Sequence, residues 1–586
     1  MELKEKIKLL PKGISNFRRT IEENLYYVDK TKFLPTLEFA GHFLLMTRPR
    51  RFGKSLFVSM MKDYYDINRK DLFQEEFKGL WIAENPTELQ GFFQVLYFDF
   101  SQVNTSKGNT LEEKFNNYCC REINSFMRYY AKFYDPETVE RIINFESHGD
   151  KIGELTREAR ERGQYVYLII DEYDNFTNAV LSEKGEAAYR ALTHAEGFYR
   201  KSFVAYKPNF DRIFMIGVSP ITMADLTSNF NIATNVSQDK DLNDIVGFSE
   251  KDVRQMIEYY RNNGLINRDT DDILNEIRPW YDGYCFTKLK LNNSEARMYN
   301  SNMALSYMSN LIRNGEAPED MVDPNSAMDF KKLKNIIDID RSGSERGNSI
   351  LEDISVNGFT RLSLKENIMA SQLVEAGNLP SLMYYYGMLT WGKDTKGRTA
   401  LVIPNLNARK QFYDSMAAMV NRKMKLDEDK FSELIQVAGE EGAWMPLMEY
   451  AAERFYSHSN VKIEGEKSIQ CYLLGVLNNS NCFLTWPELE LNGGYCDLFM
   501  IPKLQEDEYL RHCCIIELKY VKSDATDAEV RKITEVAKAQ VLKYASTPKA
   551  KEYACGTQIH PIVMVFKATK LEKLEEINLL YQNSKT

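Results

Sequence analysis

The sequence predicts an α/β fold in three parts: a parallel sheet covered by helices, a mostly helical middle, and a second, smaller α/β unit. Three observations lead there. Four short apolar runs, HFLLMT (42–47), QVLYFDF (94–100), YVYLIID (165–171) and RIFMIGVS (212–219), are continuous rather than alternating, as strands buried on both faces are. Helix-length amphipathic stretches separate them, among them SLFVSMMKDYYD (55–66) and TLEEKFNNYCCREINSFMRYYAKF (110–133). From about residue 250 the pattern turns helical, and strands return only at CFLTWPELEL, YCDLFMIP, CCIIELKYV and HPIVMVFKA.

A chain of 586 residues is too long for one core and calls for about three or four units. The boundaries expected are 1–250 for the parallel sheet, 251–407 for the helical middle, 408–454 for a helical connector and 455–586 for the last unit. Within the middle, LPSLMYYYGMLTWGKDTKGRTALVIPN (379–405) reads as a helix followed by a hairpin turning at KDTKGR, a winged-helix-like pattern. A content of 44% hydrophobic and 27% charged residues is that of a folded, soluble protein. The net charge of −9 argues against nucleic-acid binding by the surface as a whole, so any such contact is local. No apolar run approaches the roughly 20 residues of a membrane span, and the first residues lack a signal-peptide core, so no membrane and a cytoplasmic location are expected. Nine cysteines without a C-x-x-C pair read as reduced structural thiols, and six histidines without partners at ligand spacing support neither a zinc site nor a Ser-His-Asp triad.

The stretch TRPRRFGKSL (47–56) follows the first strand and opens a helix. A phosphate-binding loop needs backbone N–H groups converging at a helix N-terminus, a lysine for the β and γ phosphates and a hydroxyl for Mg²⁺; Gly53, Lys54 and Ser55 supply them. A second buried strand ends in YLIIDEYD (167–174), where Asp171 is placed to hold the Mg²⁺ shell and Glu172 to polarise the attacking water. Without the loop upstream, the same pair would read as a solvated strand end. At the ends of two further strands, Ser219 could sense the γ-phosphate and Asp99 could stand near the loop, simple capping being the alternative for each.

Together, GISNFRRTIEENLYYVDKT, LLMTRPRRFGKSL, IIDEYD and WYDGYCF resemble the bacterial AAA-ATPase-like family, whose Walker A loop is written R-P-R-R-F-G-K-[ST]. The resemblance covers roughly residues 8–300 and implies a P-loop NTPase sheet that binds ATP, with Arg48 standing where other loops have glycine. Arg48, Arg50 and Arg51 are then expected to add positive charge at the phosphates, a solvated basic loop being the alternative. Asp29, Lys30 and Thr31 of YYVDKT enter the site on the resemblance alone.

Near the C-terminal end, PELELNGGYCDLFMI (487–501) and CIIELKYVK (514–522) place Asp497, Glu517 and Lys519 on two strands, with Glu517 and Lys519 on one face. Two carboxylates around Mg²⁺ with a lysine to orient water are the requirements of a metal-dependent nuclease. This resembles the PD-(D/E)XK nuclease superfamily. QVLKY supplies Gln540 and Tyr544 of the RecB-like helix, and Glu466 and Glu488 stand where related proteins carry further carboxylates. Lysines interleaved with tyrosines in 530–553 suit a DNA groove or a merely solvated helix. The expectation is an ATP- and Mg²⁺-dependent switch coupled to a DNA nuclease, with a homo-oligomer or protein partner left open. The alternative is a nucleotide-regulated interaction protein whose nuclease fold is inactive.

Overall fold

The computed structural model describes residues 7–578 except 106–108, 195–196, 223–224, 226–232, 319–320, 323–349, 352–353, 355–356, 367, 370–371, 373–374, 413–426, 458–464, 481, 493 and 505–506. The chain gathers into two compact units, one of Met1–Gly347 with Arg361–Ala408, the other of Asn348–Thr360 with Arg409–Thr586.

In the first unit β1 (Phe43–Thr47), β2 (Gln94–Asp99), β3 (Val166–Asp171), β4 (Arg212–Gly217) and β5 (Thr234–Asn235) form a parallel sheet in the order β2–β3–β4–β1–β5. The first four lie inside the four apolar runs; β5 is too short to leave a sequence signal. Alternation along the strands feeds two cores, one holding Leu96, Phe98, Leu168 and Ile170, the other Tyr167, Ile169, Phe214 and Ile216. Burial on both faces is why these strands read as continuous apolar runs. After β1 the chain crosses to the far edge and returns, so strand order reverses beside β1. In open α/β sheets the ligand crevice lies at the C-terminal strand ends of such a reversal.

Asp174 stitches two of those ends together. Its buried carboxylate accepts the Val218 N–H at 3.1 Å, the Ser219 N–H at 2.9 Å and the Asn178 amide at 2.8 Å. Gly217 is glycine because a Cβ there would come within 2.4 Å of the Asp174 Oδ1.

The chain then forms β6 (Phe248–Ser249), paired antiparallel with β7 (Met298–Tyr299). Helices Glu250–Asn262, Thr270–Tyr281 and Ser301–Asn314 close a third core that includes Ile257, Ile273, Met303 and Tyr307. The helix and hairpin expected at 379–405 are present: the helix Leu379–Tyr385, then β8 (Thr390–Lys393) antiparallel to β9 (Thr399–Val402), with Gly397 in the left-handed region at the turn.

In the second unit the helix Glu466–Leu477 precedes a sheet whose strands run in sequence order: β10 (Phe483–Glu490), β11 (Tyr495–Pro502), β12 (His512–Val521), β13 (Gln558–Lys567) and β14 (Lys570–Glu576). Neighbours are antiparallel except β12 and β13, whose parallel pairing is made by a crossover through the helices Asp527–Ala545 and Pro548–Tyr553. Among the described residues no helix is long and apolar enough to cross a membrane.

Replacing Asp174 by alanine leaves the Val218 and Ser219 N–H groups without an acceptor in a dry interior, at a cost of roughly 3 kcal/mol. A clear fall in the denaturant midpoint of Asp174→Ala is the expected result; an unchanged midpoint would contradict this role.

Candidate functional site

A cavity of about 450 Å³ opens at the C-terminal end of β1. Its lining includes apolar Ile14, Tyr26, Val28, Val246 and Phe248 together with Arg50, Arg51, Gly53, Lys54, Ser55 and Glu172. Tyr26 is held in place by Tyr259 and Tyr260, with ring centroids 5.2 and 5.8 Å away.

The loop between β1 and the helix Lys54–Tyr65 is shaped by donors outside it. The Phe52 carbonyl accepts the Gly247 N–H at 2.7 Å, and the Arg51 carbonyl accepts the Asn302 N–H at 3.2 Å and the Ser301 hydroxyl at 3.0 Å. Gly53 caps the helix in the left-handed region, and Arg51 adopts φ 69° although it is not glycine. That conformation costs an ordinary residue about 1–2 kcal/mol, and it persists here because the carbonyl is fixed by two donors. Among the described residues no acceptor takes the N–H of Phe52 or Gly53. The loop also wraps its own lysine: the buried Lys54 Nζ donates to the Arg48 and Pro49 carbonyls, each at 3.2 Å, and lies 3.6 Å from Glu172 Oε1.

Asp171 is buried at the end of β3, where the Ser55 hydroxyl reaches its carboxylate. Burial pushes the Asp171 carboxyl up to about 6, the Ser55 hydrogen bond opposing the shift and the Glu172 charge adding to it. Glu172 is left-handed at φ 51°. Asp99 pairs in register with Asp171 across β2 and β3, but its carboxylate is occupied in capping the turn of Ser101 and Gln102.

Three expectations need correction. Arg48 does not join Arg50 and Arg51 at the cavity: its guanidinium is buried, donates to the carbonyls of Thr47, Ser237 and Leu242 at 2.7–2.9 Å and lies 4.4 Å above the Phe286 ring. Asp29 is turned away as well, accepting from Thr31 N–H, the Thr31 hydroxyl and Trp81 N–H, while Lys30 lines the cavity in an ion pair with Asp252 at 2.8 Å. Ser219 is buried and does not line the cavity, its hydroxyl accepting from Ile221 N–H and its N–H donating to Asp174. Each side chain is occupied by neighbouring groups, some adjacent in the sequence (Thr47, Thr31, Ile221) and some distant (Ser237, Leu242, Trp81).

In the second unit, Lys519 gathers the carboxylates. Its Nζ lies 2.8 Å from Glu517 Oε1, 3.7 Å from Asp497 Oδ2 and 3.9 Å from Glu466 Oε1. Asp497 Oδ2 also accepts the Leu518 N–H at 2.6 Å, which fixes β11 against β12 at this point. Burial and the neighbouring Glu517 push Asp497 well above the usual carboxylate range; Glu517 is raised too, chiefly by burial, and Lys519 is held more firmly protonated by both. Glu488 is oriented by Gln470, whose amide donates to Glu488 Oε1 at 3.1 Å and to the Asp497 carbonyl at 2.7 Å. Gln470 lies one turn beyond Glu466 and carries no signal of its own in the sequence. Tyr544 packs against Gly494, where a Cβ would meet its hydroxyl at 2.7 Å, and Gln540 precedes it by one turn of the same helix.

The donor set fits a hard divalent cation. Glu517 Oε2 is buried without a hydrogen-bond partner beside a second buried carboxylate. Among the described residues no three His, Cys, Asp or Glu side chains stand together as metal ligands. Two carboxylates are the number with which Mg²⁺ commonly binds, keeping several waters.

Residues 11–227 match the family model of predicted AAA-ATPases, and residues 464–576 match that of the PD-(D/E)XK nuclease superfamily. The chain joins an AAA-ATPase-like domain to a PD-(D/E)XK nuclease-like domain. An uncharacterized protein in the vnfD 5′ region of Azotobacter chroococcum mcd 1 is 27% identical over 290 residues, 48% of this chain, and the match spans about half (49%) of that relative's length. Among solved structures, the Aeropyrum pernix ORC2 protein (ADPNP-ADP complexes) is distantly similar, with a TM-score of 0.33 and 12% identity, over 70% of this chain and 99% of that one. The cavity of Lys54 and the cluster around Lys519 each fall within or against one of the two matched segments.

Arg48→Lys keeps the charge but cannot serve three carbonyls and a ring face together, so we expect a loss of roughly 2–3 kcal/mol. Denaturant unfolding measures it; a wild-type midpoint would return Arg48 to the solvated loop.

Proposed function

We propose that the protein is an ATP-binding, ATP-hydrolysing switch whose nucleotide state governs a Mg²⁺-dependent DNA nuclease. The observation that carries this reading is that each unit has its own cluster: Lys54, Ser55 and Glu172 lining one cavity with Asp171 bonded to Ser55, and Asp497, Glu517 and Lys519 gathered in the other unit.

In the first site the apolar residues of the lining take the base, and Arg50, Arg51 and Lys54 serve the phosphates. The Ser55 hydroxyl and Asp171 hold Mg²⁺, and Glu172 orients the attacking water. In the second site Asp497 and Glu517 hold Mg²⁺, with Glu466 and Glu488 placed around them. Lys519 orients the water, and its ammonium offsets negative charge that grows at the scissile phosphate. When bound, the cation polarises that phosphate and lowers the pKa of a bound water. Gln540 and Tyr544 support the strand turn that presents Asp497. We assign nucleotide binding to 1–250, relay to 251–407 and 408–454, and cleavage to 455–586. ATP changes the nuclease only insofar as it binds one conformation more tightly than another.

The test is cleavage of single- and double-stranded DNA with Mg²⁺, with and without ATP, by wild type, Lys519→Ala and Lys54→Ala. We expect Lys519→Ala to lose about 100-fold or more of the cleavage rate, and Lys54→Ala to lose the response to ATP. Cleavage unaffected by Lys519→Ala would refute the assignment of that site. Intact ATP binding with no cleavage under any condition would favour a nucleotide-regulated interaction protein.

A further inference from the structure

Along β11, Cys496, Leu498 and Met500 are fully buried, so Tyr495, Asp497 and Phe499 alternate onto the opposite face of the sheet. Register carries that face across the neighbouring strands. Trp486 of β10 stands opposite Phe499, and Phe499 stands opposite Ile515 of β12, whose own alternation continues through Glu517 to Lys519. The face that bears Asp497, Glu517 and Lys519 therefore also bears two aromatic side chains open to solvent: Tyr495, which is 53% exposed, and Trp486, which is half-buried on the edge strand.

Asp497 lies between them. Two residues of strand span about 7 Å, so Tyr495 stands one such step from Asp497 on one side, and the pair of Trp486 and Phe499 stands one step on the other. On this face Tyr553 covers Phe499, with ring centroids 6.4 Å apart, whereas the side chains that β10 contributes, Leu484, Trp486, Glu488 and Glu490, stay half-buried. The Arg409 guanidinium lies 5.2 Å from the Trp486 ring centroid. A single exposed tyrosine calls for no explanation. Two rings flanking a carboxylate cluster on one face, one of them with a guanidinium beside it, form the arrangement that holds unpaired nucleic acid, in which bases stack on rings and cations follow the backbone.

We propose that Tyr495 and Trp486 are stacking platforms for the bases on either side of the phosphate bound at Asp497 and Glu517, with Arg409 serving the adjoining backbone, and that the substrate is accordingly a single-stranded segment of DNA. The inference rests on the nuclease reading of this cluster and adds its substrate class. Bases within an intact duplex are stacked on one another and must be extruded before a side chain can cover their faces. Rings in these two places therefore favour the single strand.

The experiment is fluorescence anisotropy of the full chain with a labelled oligothymidine and with a labelled mixed-sequence duplex of the same length, with Ca²⁺ in place of Mg²⁺ to slow cleavage. Wild type should bind the single strand more tightly than the duplex. Tyr495→Ala should raise the Kd for the single strand about fivefold or more, and that for the duplex less than about twofold. Tyr495→Phe, which keeps a ring, should restore the affinity, and Tyr495→Leu, apolar without one, should not. Trp486→Leu should act in the same sense; because that ring is half-buried its unfolding midpoint is measured alongside, and the exposed Tyr495 carries the test should Trp486→Leu fail to fold. Preference for the duplex, an unchanged Kd in Tyr495→Ala, or equal losses for both forms would overturn the inference. Lys519-dependent cleavage accompanying any of those results would leave the nuclease reading standing, whereas wild type that neither binds nor cleaves DNA of either form would overturn both.

Discussion

Five residues of loop, Arg48 to Phe52, turn the chain from β1 toward the helix Lys54–Tyr65, and they contain no glycine to make that easy. The constraint is met from outside. Gly247, Ser301 and Asn302 hold the carbonyls, Phe52 packs against Tyr284 and Phe286 with centroids at 4.9 and 5.3 Å, and Pro49 fits against Gly387, where a Cβ would approach to 2.9 Å. Arg48 is buried beneath. The unusual loop sequence thereby acquires a physical reason: Arg48 and Pro49 are interior residues of an interface with the helical region, Phe52 packs there and also lines the cavity, and Arg50, Arg51 and the glycine-lysine-serine end line the cavity beside it.

The second unit solves a different problem. Two buried carboxylates stand close to one half-buried ammonium, and burial of both carboxylates makes the balance sensitive to any added charge. Lys519 meets part of the need. Burial, chiefly, raises the proton affinity of Asp497 and Glu517 in spite of Lys519, and Gln470 donates to Glu488. Local strain follows the same pattern as in the first unit, since Glu488, like Arg51 and Glu172, is left-handed without being glycine.

Much of the fold was legible because strands buried on both faces cannot disguise themselves. The runs at 43–47, 94–99, 166–171 and 212–217 needed no long-range information, nor did the hairpin after Tyr385. The two-residue strands β5, β6 and β7 left no trace, because pairs that short are defined by their neighbours. At the sites, Lys54, Ser55, Asp171, Asp497, Glu517 and Lys519 could be named from motif context, each pair being close in sequence or on strands that the motif order implies. Ser301, Gly247 and Gln470 could not, since their roles depend on a carbonyl or carboxylate far along the chain. Arg48 and Asp29 show the converse: a polar side chain next to a motif suggests a ligand contact, whereas neighbouring groups already occupy it, and Ser219 takes the capping alternative.

We propose that Lys54 and the loop before it bind nucleotide phosphates in the cavity of the first unit. Amide hydrogen exchange with and without ATP and Mg²⁺ tests it most directly. The account predicts slowed exchange at Phe52 to Leu56 and at Tyr26 to Lys30, with the β8–β9 hairpin tip unchanged. Exchange at Phe52 and Gly53 that is indifferent to ATP, while ATP is bound elsewhere in the chain, would contradict it.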